Sequence, residues 1–322
     1  MINIVFFVTP NYEKNTRIIN TTYKSITVVQ QFLVAYHSIK KNWTNFNYDI
    51  SLFYNKDYKF NETDYNKLLK LDINLIPCEP DHSKLPYLCR CAALTYKLPQ
   101  LGTHRLILDC DVIAHKELIL DLSCDWQAMF TEPLQMDKMN LINKNYKFNV
   151  NLNNYNYQHS GNKNAFNYYI SNPTNYKVLF PYFNAGAYLI KENLCDKFVN
   201  SYKHAYDLAF DNVINHNQMG IELAQSLALI KLSDNWKPFK PGINYIAGNT
   251  KVNVFGKDNI SLYHYCGRSA YKEVFEYFPE YFEVLKINYD TYVDPDRNKK
   301  VYNNTYDGKN NALKVEQNMY HN

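Results

Sequence analysis

Apolar and polar positions follow two alternating patterns over about the first hundred residues. Continuous apolar runs such as Ile2–Val8 are typical of strands buried on both faces of a sheet. Between these runs, apolar residues recur at the spacing of one helical face. The predicted strands are Ile2–Val8, Tyr48–Tyr54, Ile73–Ile76 and Arg105–Leu108, and the predicted helices are 17–40, Asp64–Leu71 and Pro86–Lys97. This alternation predicts a doubly wound, mostly parallel α/β sheet that binds ligands at the carboxyl ends of its strands.

The pattern is weaker after the fourth strand. Residues 137–180 are rich in Asn, Tyr and Lys and show little periodicity, which predicts a surface excursion that shapes an acceptor site. Residues 291–322 are polar and predict a C-terminal tail, so that one domain covers residues 1–290. The other predicted strands are Ala128–Phe130, Ala185–Ile190, Leu229–Leu232 and Ser261–Tyr263, and the other predicted helices are Asn193–Phe210, Asn217–Leu227 and Val274–Leu285.

Composition and charge argue against several classes of function and indicate the compartment. An apolar fraction of 46% and a charged fraction of 20% over 322 residues are typical of a globular protein. The net charge of +4 is spread along the chain, which argues against nucleic-acid binding. The seven cysteines are scattered without a C-x-x-C pair, which favours a reducing compartment. Because the sequence shows neither a signal peptide nor an apolar run of transmembrane length, we expect a cytoplasmic protein.

The strongest chemical signal is a pair of carboxylates directly after a buried strand. The segment Arg105-Leu-Ile-Leu-Asp109-Cys110-Asp111 delivers two Asp side chains in register i and i+2, which point the same way on extended backbone. Two adjacent hard oxygen ligands suit Mg²⁺ or Mn²⁺, which keep open positions for phosphate oxygens. The other interpretation is that both carboxylates accept hydrogen bonds from amides at the strand end.

This segment resembles the Asp-x-Asp motif of GT-A glycosyltransferases, and most closely that of the glycogenin-like and lipopolysaccharide galactosyltransferase-like group, whose members are retaining enzymes. Four later segments are similar to motifs of that group and stand in the same order. They are Phe183-Asn-Ala-Gly-Ala-Tyr-Leu-Ile190, Asn217-Gln218, Leu232-Ser-Asp-Asn-Trp236 and Leu262-Tyr-His-Tyr-Cys-Gly267. The resemblance covers residues 1–285 and implies a Rossmann-like GT-A fold.

The resemblance also implies roles for individual residues. Asp109, Asp111 and His264 are the implied metal ligands, for Mn²⁺ or Mg²⁺. Gln218 and Asn217 are the implied catalytic residues beside the anomeric carbon, and Glu222 is a further candidate for a catalytic role. The candidate residues for binding the donor are Thr9, Asn11, Tyr12, Arg90, Lys97, Cys110, Asn184, Ala185, Gly186, Gly267, Arg268 and Lys272. Within this set Tyr12 is a candidate for stacking on a base, and Arg90 and Lys97 lie seven residues apart on one predicted helix.

The chain departs from the group's pattern at two places. Asn217 stands where the group has Asp, and Glu222, about one turn later, is a candidate substitute. The group's Lys after the late Gly is missing at its usual spacing, and Arg268 or Lys272 is expected to bind phosphate instead. Glu132 would be the natural base of an inverting enzyme, so retention and inversion both stay open.

Together these features predict an enzyme that transfers a sugar from a nucleotide-diphosphate donor, expected to be UDP-linked, to a hydroxyl of a glycan, lipid or protein. The expected partners are the donor, a glycan, glycolipid or glycoprotein acceptor, and a second copy of the chain in a homodimer. One alternative is a nucleotidyltransferase, although the loop at residues 9–14 lacks the glycines that such enzymes usually carry. Another alternative is a non-catalytic protein that binds nucleotide sugars, which Asn217 keeps open.

Overall fold

The computed structural model describes residues 1–8, 26–56, 58–78, 89–98, 102–130, 134–135, 179–180, 183–212, 218–240, 242–246, 255–266 and 268–285. All of them belong to one compact unit. The strands are β1 (Ile2–Val8), β2 (Tyr48–Asn55), β3 (Asn74–Cys78), β4 (His104–Leu108), β5 (Val112–Ala114), β6 (Trp126–Phe130), β7 (Leu134–Gln135), β8 (Leu179–Phe180), β9 (Phe183–Lys191), β10 (Trp236–Pro238), β11 (Tyr245–Ile246) and β12 (Leu262–His264). The α-helices are α1 (Val28–Asn42), α2 (Glu62–Leu68), α3 (Cys89–Thr95), α4 (Cys195–Asn212), α5 (Gln218–Leu232) and α6 (Arg268–Tyr277), and short 3₁₀ helices cover Glu192–Leu194, Lys257–Asn259 and Pro279–Leu285.

Among the described residues, a seven-stranded sheet in the order β10-β6-β9-β4-β1-β2-β3 forms the centre of the fold. The strands β1, β2, β3 and β4 are parallel to their neighbours in this group, and β10 is parallel to β6. Only β9 runs against its neighbours, since it pairs antiparallel with both β4 and β6. The predicted α/β class with a mostly parallel central sheet is therefore confirmed.

Both faces of this sheet are covered by apolar layers. Alternate residues of β1 enter opposite layers because successive side chains of a strand point to opposite faces. Ile4 and Phe6 join the layer that contains Phe32 of α1. Val5 and Phe7 join the layer that contains residues of α3, α4 and α5. All residues of β1 are buried, as its unbroken apolar run predicts.

Several element boundaries differ from the sequence prediction. Helix α1 begins only at Val28, because Thr27 forms a capping box in which its hydroxyl accepts from the Gln30 N–H at 3.1 Å. Strand β3 extends through Pro77, which an edge strand tolerates because no neighbour needs its missing N–H. Helix α3 ends at Thr95, so Lys97 lies beyond the helix on which it was predicted.

Two further predictions are wrong in type or extent. Leu229–Leu232, predicted as a strand, forms the last turn of α5, because a short buried apolar run does not by itself distinguish a strand from a helix. The helix predicted over Val274–Leu285 breaks after Tyr277, and a 3₁₀ helix begins at Pro279. The proline ring excludes a continuous α-helix at this point.

A small sheet has the order β11-β12-β5. Its strand β12 overlaps the predicted strand Ser261–Tyr263. Strands β11 and β5 were not predicted, because strands of two or three residues leave little periodicity in a sequence. Strand β5 begins directly after Asp111, and β12 pairs with it antiparallel, so that His264 lies opposite Val112. This pairing carries His264 to the end of β4.

The predicted excursion at 137–180 lies outside the described residues except for β8, and the predicted tail at 291–322 lies wholly outside them. Both stay predictions, as does the domain boundary at residue 290. No helix among the described residues is both long and apolar enough to cross a membrane.

His104, the first residue of β4, gives a pH prediction. Burial lowers the pKa of His104 below its ordinary value of 6.5. Its Nε2 lies 3.2 Å from the carbonyl oxygen of Cys124, which can only accept, so the neutral ring donates there. Because the folded state disfavours protonation, its contribution to stability is present above about pH 6.5 and is lost as the pH falls. We expect His104→Gln to lose less unfolding free energy than the parent between about pH 7.5 and about pH 5.

Denaturant unfolding at several pH values measures this difference. His204→Gln is the control for the substitution itself, because it makes the same exchange at an exposed position on α4. An unchanged pH slope in His104→Gln would contradict the prediction.

Candidate active site

The candidate site lies where β4 ends, between the central sheet and the small sheet. The backbone N–H of Asp109 donates to the carbonyl of Gly186 on β9 at 2.8 Å, and the carbonyl of Asp111 accepts from the N–H of Tyr265 at 3.0 Å. Both Asp residues are therefore held by backbone hydrogen bonds to neighbouring segments. Their side chains are only 13% and 12% exposed, so the two carboxylates lie close together in a nearly dry environment.

His264 completes a group of three ligand-type side chains. Its Nε2 lies 3.3 Å from Oδ1 of Asp111 and 3.8 Å from Oδ2 of Asp109. One ligand atom from each residue lies within 4.8 Å of the others. The structure thus brings together the three residues that the sequence predicted as metal ligands, although His264 is far from the two Asp residues in the chain.

The polar atoms of this group fit a cation. Asp111 Oδ1 and both ring nitrogens of His264 are buried and have no hydrogen-bond partner among the described residues. Buried polar atoms normally have partners, so Asp111 Oδ1 and His264 Nε2, which lie 3.3 Å apart, indicate a ligand beside them. Two carboxylates and one imidazole suit a divalent cation such as Mn²⁺.

The charges of the group act on each other. Burial raises the pKa of Asp109 above its ordinary value; Arg90 opposes this shift and Asp111 adds to it. Burial by itself would lower the pKa of His264, but its interactions with Cys266 and Asp111 outweigh burial and raise it. The three side chains of the group are therefore coupled electrostatically.

Gly186 has a specific steric role beside His264. A Cβ atom at this position would lie 2.0 Å from Cε1 of His264 and 2.4 Å from its Nδ1. Any larger residue would collide with the imidazole. The sequence analysis named Gly186 as a candidate for binding the donor, and the structure places the His264 ring against it.

The first residues of β9 leave the regular sheet at this point. The register between β6 and β9 shifts between Ala128 and Phe130, where Ala128 pairs with Tyr188 and Phe130 with Phe183. The intervening part of β9 contains Asn184 and Ala185 and bulges relative to β6. It is fixed by Asn184, whose Oδ1 accepts from the Gly186 N–H at 2.8 Å.

Arg90 of α3 connects this bulge to the metal-ligand candidates. Its guanidinium forms an ion pair with Asp109 and donates to the carbonyl of Ala185 at 3.0 Å. It also lies over the Phe7 ring, with Cζ 4.6 Å from the ring centroid. The residue is buried, so its charge compensates one of the two carboxylates. Arg90 thus holds Asp109, whereas the sequence placed it near a diphosphate or a sugar.

Helix α5 packs one face against the start of β9. Glu222 Oε1 accepts from Asn184 Nδ2 at 3.4 Å, Gln225 Nε2 donates to the carbonyl of Asn184 at 3.3 Å, and Ser226 Oγ accepts from the Phe183 N–H at 2.9 Å. The predicted catalytic residue Gln218 is the first residue of this helix, one turn before Glu222. Glu222 is therefore in contact with the predicted sugar-binding residue Asn184.

The remaining candidates are distributed as follows. Cys110 is buried and its thiol donates to the carbonyl of Phe7 at 3.6 Å, away from the two Asp side chains. Lys97 is exposed. Arg268 and Lys272 lie on α6, which begins four residues after His264. Outside the described residues lie Thr9, Asn11, Tyr12, Glu132, Asn217 and Gly267.

Sequence reasoning missed Asn244. This residue is fully buried and donates from Nδ2 to Asn184 Oδ1 at 3.0 Å. Its φ of 60° lies in the left-handed region, which Asn tolerates better than most residues. The signal available in the sequence was Gly242-Ile-Asn244, in which two residue types suited to positive φ lie close together.

Comparison with solved structures finds glycosyltransferases. The galactosyltransferase LgtC, in complex with donor and acceptor sugar analogs, aligns with a TM-score of 0.51 and 15% identity over 89% of this chain and 97% of that chain. The glycosyltransferase GlyE of Streptococcus pneumoniae TIGR4 aligns with a TM-score of 0.47 and 13% identity over 90% of this chain and 62% of that chain. Mouse xyloside xylosyltransferase 1 aligns with a TM-score of 0.45 and 10% identity over 84% of this chain and 99% of that chain. No protein-family model and no curated protein matches the sequence.

This chain has the GT-A fold. Among these alignments, the one with LgtC carries that conclusion, and it agrees with the strand order and with the Asp-x-Asp segment at the end of β4. The resemblance stated from the sequence is confirmed at the level of the fold.

The collision at Gly186 gives a direct prediction. In Gly186→Ala the new methyl group must displace the His264 ring, so we expect Mn²⁺ affinity to fall by about 10- to 100-fold, as for lost support of a metal ligand. Isothermal titration calorimetry measures the affinity, and circular dichroism checks that the variant is folded.

Ala185→Gly is the matched control. It alters the neighbouring residue of the same strand and keeps the backbone carbonyl that Arg90 binds, so its Mn²⁺ affinity should equal that of the parent. Parent-like affinity in Gly186→Ala would show that His264 does not bind the cation.

Proposed function

We propose that this protein is a metal-dependent glycosyltransferase that moves a sugar from a UDP-linked donor to a hydroxyl acceptor. The observation that carries the proposal is the cluster of Asp109, Asp111 and His264 at the carboxyl end of a central strand of a GT-A fold. Ligands of doubly wound sheets bind at this edge. LgtC, which shares the fold, was solved with donor and acceptor sugar analogs, and this supports the same class of substrates here.

We assign the cluster to Mn²⁺ or Mg²⁺ and the neighbouring bulge of β9 to the donor sugar. When bound, such a cation neutralises the charge that develops on a diphosphate leaving group. Arg90 holds Asp109 in place by its ion pair, and Gly186 leaves room for His264. Arg268 and Lys272 on α6 are the proposed partners of the phosphates, because α6 follows closely after His264.

The sugar side of the site consists of Asn184 and Glu222, with Gln218 one turn earlier on α5. Asn184 offers amide hydrogens to sugar hydroxyls, and the Glu222 carboxylate, in contact with Asn184, supplies negative charge near the anomeric carbon. This charge supports Glu222 as the substitute for the Asp that Asn217 replaces. We propose that Glu222 stabilises the positive charge that develops at that carbon, and that transfer proceeds with retention, as the likeness to a retaining group implies.

The metal assignment is tested by removing one ligand charge. Asp111→Asn keeps the size of the side chain and removes the carboxylate, so we expect Mn²⁺-dependent turnover of UDP-sugar to fall by at least about a hundredfold. Folding should be preserved, because no buried ion pair with a Lys or Arg is lost. The readout is release of UDP in the presence of Mn²⁺, with circular dichroism to confirm the fold.

The control is Asp258→Asn. Asp258 is 91% exposed and forms a surface ion pair with Lys116, so its replacement should leave turnover unchanged. Undiminished turnover in Asp111→Asn would overturn the metal site.

The donor class is tested by a thermal-shift panel of nucleotide sugars, including UDP-glucose, UDP-galactose and UDP-xylose, each with and without Mn²⁺. A donor at about 100 times its dissociation constant stabilises the native state by about 2.7 kcal/mol and raises the midpoint. We expect at least one UDP-sugar to do so, and only with Mn²⁺. A panel without any shift would contradict the proposed donor class.

A further inference from the structure

Asn244 has an uncommon, left-handed backbone conformation. It lies between Asn184 on β9 and the small sheet that carries His264. It follows Gly242, at which a Cβ atom would lie 1.9 Å from the carbonyl oxygen of Asn259. The carbonyl of Gly242 accepts from the N–H groups of Ser261 and Leu262 at 2.9 and 3.0 Å. This segment is therefore locked against the start of β12, and the left-handed φ of Asn244 is imposed by its surroundings.

The hydrogen bonds of Asn184 fix the orientation of both amides. The Gly186 backbone N–H can only donate, so the Asn184 atom that faces it at 2.8 Å is the oxygen. The same oxygen lies 3.0 Å from Asn244, which must therefore present its NH₂ group. With its oxygen occupied by two donors, Asn184 turns its own NH₂ group toward Glu222.

The location of Asn244 links the sugar side to the metal side. Directly after it, β11 pairs with β12, so that Tyr245 lies beside Tyr263 and Ile246 beside His264. Asn244 thus joins the bulge of β9 to the strand that carries His264. Its own Oδ1 is buried and has no hydrogen-bond partner among the described residues.

We propose that Asn244 is a positioning residue for the donor sugar, because its NH₂ group and the Gly186 N–H together hold Asn184 in the amide orientation that presents NH₂ hydrogens to sugar oxygens. This role rests on the proposed function of the site. It predicts that loss of the Asn244 amide weakens binding of the sugar part of the donor and leaves the affinities for the nucleotide and for the metal unchanged.

The test compares UDP with the UDP-sugar that gives the largest shift in the thermal panel, both titrated by calorimetry with Mn²⁺. Asn244→Gly keeps the positive φ and removes the amide. We expect the preference for UDP-sugar over UDP to fall by about five- to tenfold, the effect of about one hydrogen bond. The affinities for UDP and for Mn²⁺ alone should equal those of the parent.

Asn244→Asp provides a second variant if Asn244→Gly does not fold. It keeps the size of the side chain and tolerates the left-handed backbone, but it presents an oxygen to the Asn184 oxygen and should lose the same preference. An equal loss of affinity for UDP and UDP-sugar, or an unchanged preference, would overturn the role of Asn244.

The outcome for the parent separates this role from the proposed function. If the parent binds no UDP-sugar, the proposed donor class is wrong and the role of Asn244 falls with it. If the parent prefers UDP-sugar and the Asn244 variants keep the full preference, only the role of Asn244 is wrong.

Discussion

Two carboxylates held side by side in a nearly dry environment are the constraint on which the rest of the site depends. Asp109 and Asp111 repel each other, and neither can be desolvated without compensating positive charge. Arg90 supplies that charge to Asp109 from one side, and His264 approaches from the other. Removing one partner of a buried ion pair typically lowers the free energy of unfolding by about 3–5 kcal/mol. Arg90 and Asp109 therefore matter for the stability of the fold as well as for the site.

The backbone around these charges is shaped to admit the compensating groups. The small sheet brings His264 opposite Val112, and the lack of a side chain at Gly186 leaves space for its ring. The bulge in β9 turns Asn184 and Ala185 out of the regular register, so that Arg90 reaches the carbonyl of Ala185. Asp109 and His264 of the proposed metal site and Asn184 of the proposed sugar site thus meet at the irregular start of β9, and Asn244 connects this segment to the small sheet.

Sequence reasoning was reliable where one side-chain pattern dominated. The unbroken apolar run of β1 predicted a strand buried on both faces, since such burial demands apolar residues at successive positions. The apolar run before the carboxylate pair likewise predicted that the pair follows the buried strand β4. Sequence reasoning failed where a short apolar run is compatible with either a strand or a helix. Leu229–Leu232 extends a helix because the preceding residues of α5 already form its turns. Lys97 lies beyond α3 because α3 ends at Thr95, before the end that was predicted.

By itself, the sequence determined the α/β class, the Asp-x-Asp pair and the order of the segments that form the candidate site. These properties depend on local side-chain periodicity and on residue types, which can be read along the chain. The tertiary structure decided that Arg90 neutralises Asp109, that Gly186 makes room for His264, and that Asn244 orients Asn184. Each of these contacts joins residues that are distant in the chain and depends on distances of a few ångströms. A linear pattern carries no information at that scale, because strand pairing and a bulge determine which side chains meet.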